Sequence, residues 1–391
     1  MTRTVATRVL APPPRLGKGV SAFPLASAMV WSGAGHPHEA VAVPGVRLAP
    51  GDVLVEVELT TVCGSDVHTV AGHRAAPTPL VLGHEQVGRV VAVGRGGARS
   101  VEGVRLEIGT RVVWSVVVAC GRCARCRRGL GHTCLNLQKY GHERMRRGWE
   151  LSGGFATHVH VLAGTAIVIA PEHLPAAVLA PASCATATVA AVLEAASAIV
   201  PIENSVVVIA GAGMLGLTAA AMAKDAGAHV VVSDPDEARR RGALAFGADA
   251  VADPRAAATH PSSLAAAIAA AGGRGSGCTI ALELSGSASA VRTLVDLVDV
   301  GGVVIFAGTV SPGAGLRVDP EHIVRRLLTI RGVHNYAPRH LEQAVAYLAG
   351  AWQRYPFAQQ VARVLPLEAV DEALALAAVS GPRIGLSPTQ P

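Results

Sequence analysis

Two hydrophobic patterns divide the chain. From about Ala22 to Val117 apolar and polar residues alternate in short runs. Val53-Leu54-Val55-Glu56-Val57-Glu58-Leu59 follows the turn pair Pro50-Gly51, and Gln86–Gly94 and Gly109–Trp114 are runs of the same kind. A period of two is that of a strand with one buried face, so this region is read as a small all-β barrel with loops. Gly153–Val161 alternates in the same way. After Val206 the pattern changes. Val206-Val207-Val208-Ile209 is unbroken and apolar, as in a parallel strand covered on both faces. An Ala-rich helix runs to about Ala226, and a second strand, His229–Ser233, ends at Asp234. Strands at Thr279–Gly286, Gly301–Gly308 and Leu328–Val333 continue the βα alternation, which predicts an α/β doubly wound parallel sheet. Helices are expected at Leu341–Leu348 and Leu367–Ala378, the latter in a closing segment that rejoins the first domain. The predicted boundaries are a flexible N-terminal extension (1–25), a β-barrel domain (26–190) holding a cysteine lobe (118–136), a parallel-sheet domain (191–337) and a returning segment (338–391).

Composition adds limits. At 391 residues, half of them hydrophobic, the chain supplies two cores. Aromatics make up only 3%, so Ala, Val and Gly carry the packing. The net charge of +6 is spread out, densest at Arg125–Arg128, Arg144–Arg147 and Arg239–Arg241. No aromatic interleaving or known module accompanies these patches, which argues against a nucleic-acid partner. A small anionic substrate or a generally basic surface accounts for them equally. No stretch of about twenty apolar residues has the character of a membrane span, and the proline-broken N-terminus is no signal peptide. Seven cysteines, four of them between Cys120 and Cys134, suit metal binding in a reducing, cytoplasmic compartment.

The chemistry concentrates in Thr61–Glu85. Cys63, Ser65, Asp66 and His68 are followed by Gly83-His84-Glu85. A thiolate and a neutral imidazole suit Zn²⁺, and a catalytic zinc takes three protein ligands and keeps its fourth position open. Cys63 and His84 are two candidates. Cys184, in a segment read as the start of a helix running through Glu194, is the third, with the helix dipole expected to favour its thiolate. Cys120, Cys123, Cys126 and Cys134, spaced C-x2-C-x2-C-x7-C, can close a structural zinc shell; an iron–sulfur cluster takes the same four thiolates. Gly211-Ala-Gly213-Met-Leu-Gly216 lies after a strand and before a helix, with Asp234 eighteen residues beyond Gly216. That context makes it a dinucleotide-binding loop. Asp234 suits a free ribose 2′-OH and hence NAD, while Arg239–Arg241 keep NADP as the alternative. Cys278 is read as structural.

In this order the zinc loop, cysteine lobe, Cys184 and dinucleotide loop resemble the zinc-dependent medium-chain dehydrogenases, the alcohol and polyol dehydrogenase family, from Trp31 onward. CGRCARCRRGLGHTCLNLQKYGHE, PASCATATVAA and CGSDVHTVAGHRAAPTPLVLGHE look like a phosphonate-associated branch of it. The resemblance implies a GroES-like catalytic domain, a Rossmann coenzyme domain, two zinc ions per chain, NAD and a homodimer or homotetramer. It implies catalytic zinc on Cys63, His84 and Cys184, with Glu85 beside the metal and Asp66 orienting the imidazole. Ser65 takes the substrate proton and His68 passes it to solvent, and Arg383 is a candidate pyrophosphate contact. No aromatic-lined substrate region is evident, so the expected substrate is a polar alcohol or its carbonyl partner, bearing a phosphonate or phosphate. Arg74, Lys139, Arg144 and His334 are candidate anion holders, joined by His73, Arg146 and Arg147. An uncharged polyol or cyclitol is the alternative, and a catalytically silent dinucleotide-binding scaffold is the alternative of another class.

Overall fold

Valine-rich runs favour extended backbone because branched side chains pack well on a pleated surface. They fill Val53–Thr61, Glu85–Val93 and Arg111–Val118, the middle of an eight-stranded sheet. The computed structural model describes residues 8–10, 25–260, 263–272, 277–310, 315–379 and 381–388. The chain forms two compact units. The first is Met1–Cys184 with Ala337–Trp352 and Phe357–Pro391; the second is Ala185–Tyr336 with Gln353–Pro356.

In the first unit the sheet runs Thr165–Ile169, Arg111–Val118, Glu85–Val93, Val53–Thr61, Arg383–Ser387, Val361–Pro366. Gln138–Lys139 adds to Arg111–Val118, and His158–Val161 to Val53–Thr61. Val55, Val57, Val90, Trp114, Tyr140 and Trp149 are buried in its core. A smaller sheet orders Arg8–Val9, Glu39–Val43, Ala26–Trp31 and Leu80–Val81. Of the expected flexible extension, residues 1–7 and 11–24 lie outside the described residues. Arg8–Val9 departs from that expectation by pairing in parallel with Val41–Ala42.

Three local expectations need correction. The chemistry-bearing loop after Thr61 is partly a helix, Gly64–Val70, whose N-cap is Cys63. The run 153–161 is a strand only at His158–Val161. Gly153 and Gly154 instead lie flat on the chain at Val81–Gly83, where a Cβ on Gly153 would stand 2.0 Å from the Val81 carbonyl oxygen. Cys184 does not lie within a continuous helix: it ends a 3₁₀ turn, Ala180–Ser183, just before the helix Ala185–Ser197.

The second unit is a six-stranded sheet of β1 (Val206–Ala210), β2 (His229–Ser233), β3 (Ala250–Ala252), β4 (Cys278–Glu283), β5 (Val298–Phe306) and β6 (Thr329–Gly332). All neighbours are parallel, in the order β3-β2-β1-β4-β5-β6. β1 is buried at every residue, as a strand between two helical layers must be. The strand order reverses between β1 and β4, which opens a crevice at the carboxyl ends of those strands. No single helix among the described residues is long and apolar enough to cross a membrane.

Candidate active site

Pairing between strands assembles the first cluster. Thr61 faces Glu85 across the antiparallel pair Val53–Thr61/Glu85–Val93, which sets Cys63 beside His84. Gly83 precedes His84 at φ +86°, and a Cβ there would meet the Phe155 ring at 2.6 Å, so only glycine fits. The Ser183 hydroxyl donates to the His84 carbonyl oxygen at 3.1 Å and ties in the turn that carries Cys184. Donor atoms of Cys63, His84, Glu85 and Cys184 all lie within 4.8 Å of one another. A tetrahedral shell around zinc has edges of about 3.5 Å. The donors therefore fit such an ion after contracting by about an ångström.

Asp66 is fully buried. Its carboxylate accepts the Cys63 N–H at 2.9 Å and the Gly83 N–H at 3.4 Å, and lies 3.4 Å from His84 Nδ1. That last contact is off the line of a hydrogen bond but within reach of charge attraction. It leaves Nε2 free to ligate, with the Ser65 hydroxyl 3.4 Å from it. Glu85, also fully buried, is held by Arg383 through bonds of 2.8 and 3.0 Å and by the Thr61 hydroxyl at 2.7 Å. Arg383 Nη2 also donates to Cys63 Sγ at 3.4 Å.

The charges follow from these contacts. The Cys184 thiol donates to Cys63, and Arg383 and His84 add positive charge, so the Cys63 thiol falls well below its ordinary pKa despite burial. The Cys63 thiolate in turn, with burial, pushes Cys184 well up. This reverses the expectation of a dipole-stabilised Cys184 thiolate: one negative sulfur beside another outweighs a helix end. Burial opposes a charged His84, but Asp66 and Cys63 outweigh it and raise it to about 10. The protons held on Cys184 and His84 are those that a divalent ion displaces on binding.

The second cluster stands apart in the same unit. The Sγ atoms of Cys120, Cys123, Cys126 and Cys134 lie within 4.8 Å of one another, with Cys123 3.4 Å from Cys126 and 3.7 Å from Cys134. Backbone N–H groups of Cys120 and Asn136 point at Cys134 Sγ, at 3.3 and 3.2 Å. Such bonds favour thiolates: the Arg122 N–H leads in lowering Cys120 to about 6, and the Leu135 N–H in lowering Cys123 to about 7. Desolvation and the Cys123 sulfur raise Cys126 to about 12. Four converging thiols, with no other donor in the cluster among the described residues, suit a closed tetrahedral ion.

In the second unit the glycine loop joins β1 to the helix Met214–Asp225. Gly211 has φ +100°, a Cβ on Gly216 would stand 1.8 Å from the Gly211 carbonyl oxygen, and Gly213, the N-cap, faces open space. The first two set the turn, and the third leaves room for a phosphate at the helix N-terminus. Asp234, buried at the end of β2, accepts the N–H groups of Ala212 and Asp236, both at 2.8 Å. Each oxygen keeps a lone pair for a hydroxyl donor. Arg240 binds the Asp234 carbonyl oxygen and Arg241 pairs with Glu237. The exposed Arg239 guanidinium has no hydrogen bond or ion pair among the described residues.

Residues 49–172 match the alcohol dehydrogenase GroES-like domain, and residues 215–350 match the zinc-binding dehydrogenase domain. The chain is 31% identical over 300 residues to L-threonine 3-dehydrogenase of Aeromonas salmonicida, covering 75% of this chain and 79% of that one. The chain belongs to the zinc-binding medium-chain dehydrogenases. This dehydrogenase is also 29% identical over 340 residues to 5-exo-hydroxycamphor dehydrogenase of Pseudomonas putida, covering 85% and 91% of the two chains. Its fold, GroES-like plus Rossmann-like, matches an alcohol dehydrogenase of Thermotoga maritima with a TM-score of 0.84 and 28% identity, over 93% of this chain and 99% of that one. A zinc-binding dehydrogenase of Sinorhizobium meliloti bound to NADP matches at TM-score 0.77 and 26% identity, over 93% and 99%.

The other predicted site residues are scattered more widely. In the dehydrogenase's first unit His68 is exposed, its ring 5.8 Å from that of His73, and among the described residues it makes no direct hydrogen bond to Ser65. Arg74 and Lys139 are half-buried, whereas Arg144 is exposed and bridges Leu80 through its backbone. His334 is exposed in the second unit and belongs to neither donor cluster. Arg383, expected at a pyrophosphate, is committed to Glu85 and Cys63, and His142, given no role by sequence, packs against His84 with ring centroids 4.8 Å apart and the rings tilted by 36°. No spacing signal finds either contact, because each joins segments far apart in the chain.

Proposed function

We propose that this chain is a zinc-dependent, NAD-linked alcohol dehydrogenase interconverting a polar alcohol and its aldehyde or ketone. The observation that carries this is the donor set: two sulfurs and one imidazole converge while the neighbouring carboxylate, Glu85, is engaged by Arg383. Three protein donors with a fourth position left over are the pattern of a catalytic zinc; the closed cysteine cluster suits a second, structural ion. When bound, zinc supplies Lewis acidity that eases loss of an alcohol proton, and NAD supplies the hydride acceptor.

The chain's own residues do the rest. Asp66 fixes the His84 imidazole with Nε2 toward the ion, the job such a carboxylate does for a ligand histidine. Ser65, 3.4 Å from Nε2, takes the hydroxyl proton, and the exposed His68–His73 pair hands it to solvent after it crosses from Ser65 through intervening water. Asp234 accepts a ribose hydroxyl and repels a 2′-phosphate, which favours NAD. The uncommitted Arg239 is the feature that favours NADP, the cofactor held by the Sinorhizobium meliloti relative. The test is Cys63→Ala. It should leave one zinc per chain, in the cysteine cluster, and abolish NAD⁺ reduction across a panel of alcohols. Full activity of correctly folded, metal-stripped protein would end this reading.

A further inference from the structure

The metal-binding turn is lined by a second stretch of the same unit, residues 139–145. Gly141 packs so tightly on it that a Cβ would stand 2.5 Å from the Gly83 carbonyl oxygen. The Met145 N–H donates to the Pro79 carbonyl oxygen at 2.7 Å, and the His142 ring packs against the His84 ring. This lay of the chain carries Lys139, at the end of the short strand Gln138–Lys139, to the rim of the donor cluster. There the negative charges of Cys63 and Asp66 act on it. Arg74 arrives from the turn that follows the helix Gly64–Val70, its N–H on the His68 carbonyl oxygen at 3.2 Å, and its positive charge also acts on Lys139.

Neither the Lys139 ammonium nor the Arg74 guanidinium has a hydrogen bond or ion pair among the described residues. Asp66, the carboxylate whose charge acts on Lys139, is already engaged by backbone N–H groups, and Glu85 by Arg383. A bound divalent ion does not change this balance, since two thiolates neutralise it. The two half-buried cations repel each other and lose hydration, a cost that the Cys63 and Asp66 charges offset only in part. Burial, then Arg74, lowers the Lys139 pKa accordingly.

We infer that Lys139 and Arg74 form an anion clamp at the rim of the metal site, and that the substrate is an alcohol bearing an oxyanion (carboxylate, phosphate or phosphonate) a few bonds from the carbinol carbon. This rests on the dehydrogenase reading above and sharpens its substrate class. Methionine keeps the unbranched apolar stem of both side chains without the charge, so Lys139→Met and Arg74→Met are the variants. Zinc-loaded full-length protein is titrated calorimetrically with methylphosphonate, inorganic phosphate and acetate, and its NAD⁺ reduction is compared on 2-hydroxyethylphosphonate, 3-hydroxypropionate and 1-propanol. Wild type should bind at least one anion, and each variant should bind it tenfold or more weakly while keeping its zinc. The favoured anion separates phosphorus oxyanions from carboxylates. Unchanged anion binding in both variants, or wild type that ignores every anion while oxidising 1-propanol, overturns the clamp and leaves the dehydrogenase standing. Anion binding lost in the variants of a protein that oxidises no alcohol keeps the clamp and removes the dehydrogenase reading.

Discussion

Replacing Asp66 by Asn keeps size and shape and removes one charge at the point where the structure holds the ligand imidazole. The asparagine oxygen can still accept the Cys63 N–H, now bonded at 2.9 Å. Its NH₂ group then faces the Gly83 N–H and His84 Nδ1, each 3.4 Å from the native oxygen. Two outcomes are open to the imidazole, and both weaken the metal. If Nδ1 keeps its proton, donor faces donor and the ring loses the attraction that orients it. If Nδ1 gives it up to accept from the amide, Nε2 carries the proton and cannot ligate. Loss of such a carboxylate partner typically costs 10- to 100-fold in metal affinity, about 1.4–2.7 kcal/mol. The buried Gly83 N–H left without an acceptor adds a folding cost of about 1 kcal/mol, the low end for such groups because the native bond is long. The assay is zinc transfer to a coloured chelator. Wild type should release its ions slowly, whereas Asp66→Asn should release one per chain in a fast phase and keep the other in the cysteine cluster. If the variant gives up both at the wild-type rate, Asp66 does not set the His84 orientation and the argument fails.

Gly216→Ala tests the cofactor loop, because a methyl 1.8 Å from the Gly211 carbonyl oxygen forces loop and helix apart by more than an ångström. NAD affinity, measured by titration calorimetry, should fall at least tenfold with zinc content unchanged; wild-type affinity would rule out this loop as the cradle. Asp52 accepts from His160 Nε2 at 2.7 Å and from the N–H groups of Ala49 and Ala163, at 2.9 and 2.8 Å. Burial works against its charge, but these bonds outweigh it and hold its pKa below the ordinary 3.8. Its stabilisation is therefore complete above pH 4 and lost as pH falls through the depressed folded value. Asp52→Ala should cost about 1–3 kcal/mol at pH 7, and the gap in melting temperature from wild type should stay constant to pH 5 and shrink only below about pH 4. A gap that already closes between pH 7 and 5 would contradict this.

What could be read along the chain is what one loop accomplishes alone. Cys120 to Cys134 converge because short turns bring neighbours in sequence together, and Gly211–Gly216 with Asp234 spans a single βαβ step. Cys63 and His84 are close to that limit, since one pair of antiparallel strands joins them. Distances along the chain hide the remainder. Arg383 reaches Glu85 across 298 residues because Leu386 and Gly385 pair with Thr60 and Thr61, a register that no local pattern encodes. Cys184 shows the same limit in its electrostatics. Its place before a helix suggests a stabilised thiolate, but the sulfur that folding sets beside it takes the negative charge. Periodicity reads Gly153–Val161 as one strand because it registers side chains, not the backbone that must lie against Val81–Gly83. Hydrophobic pattern and motif spacing determine which elements and local sites form. The packing of those elements decides which charges meet, because charge pairs act over a few ångströms of space whatever their separation in the chain.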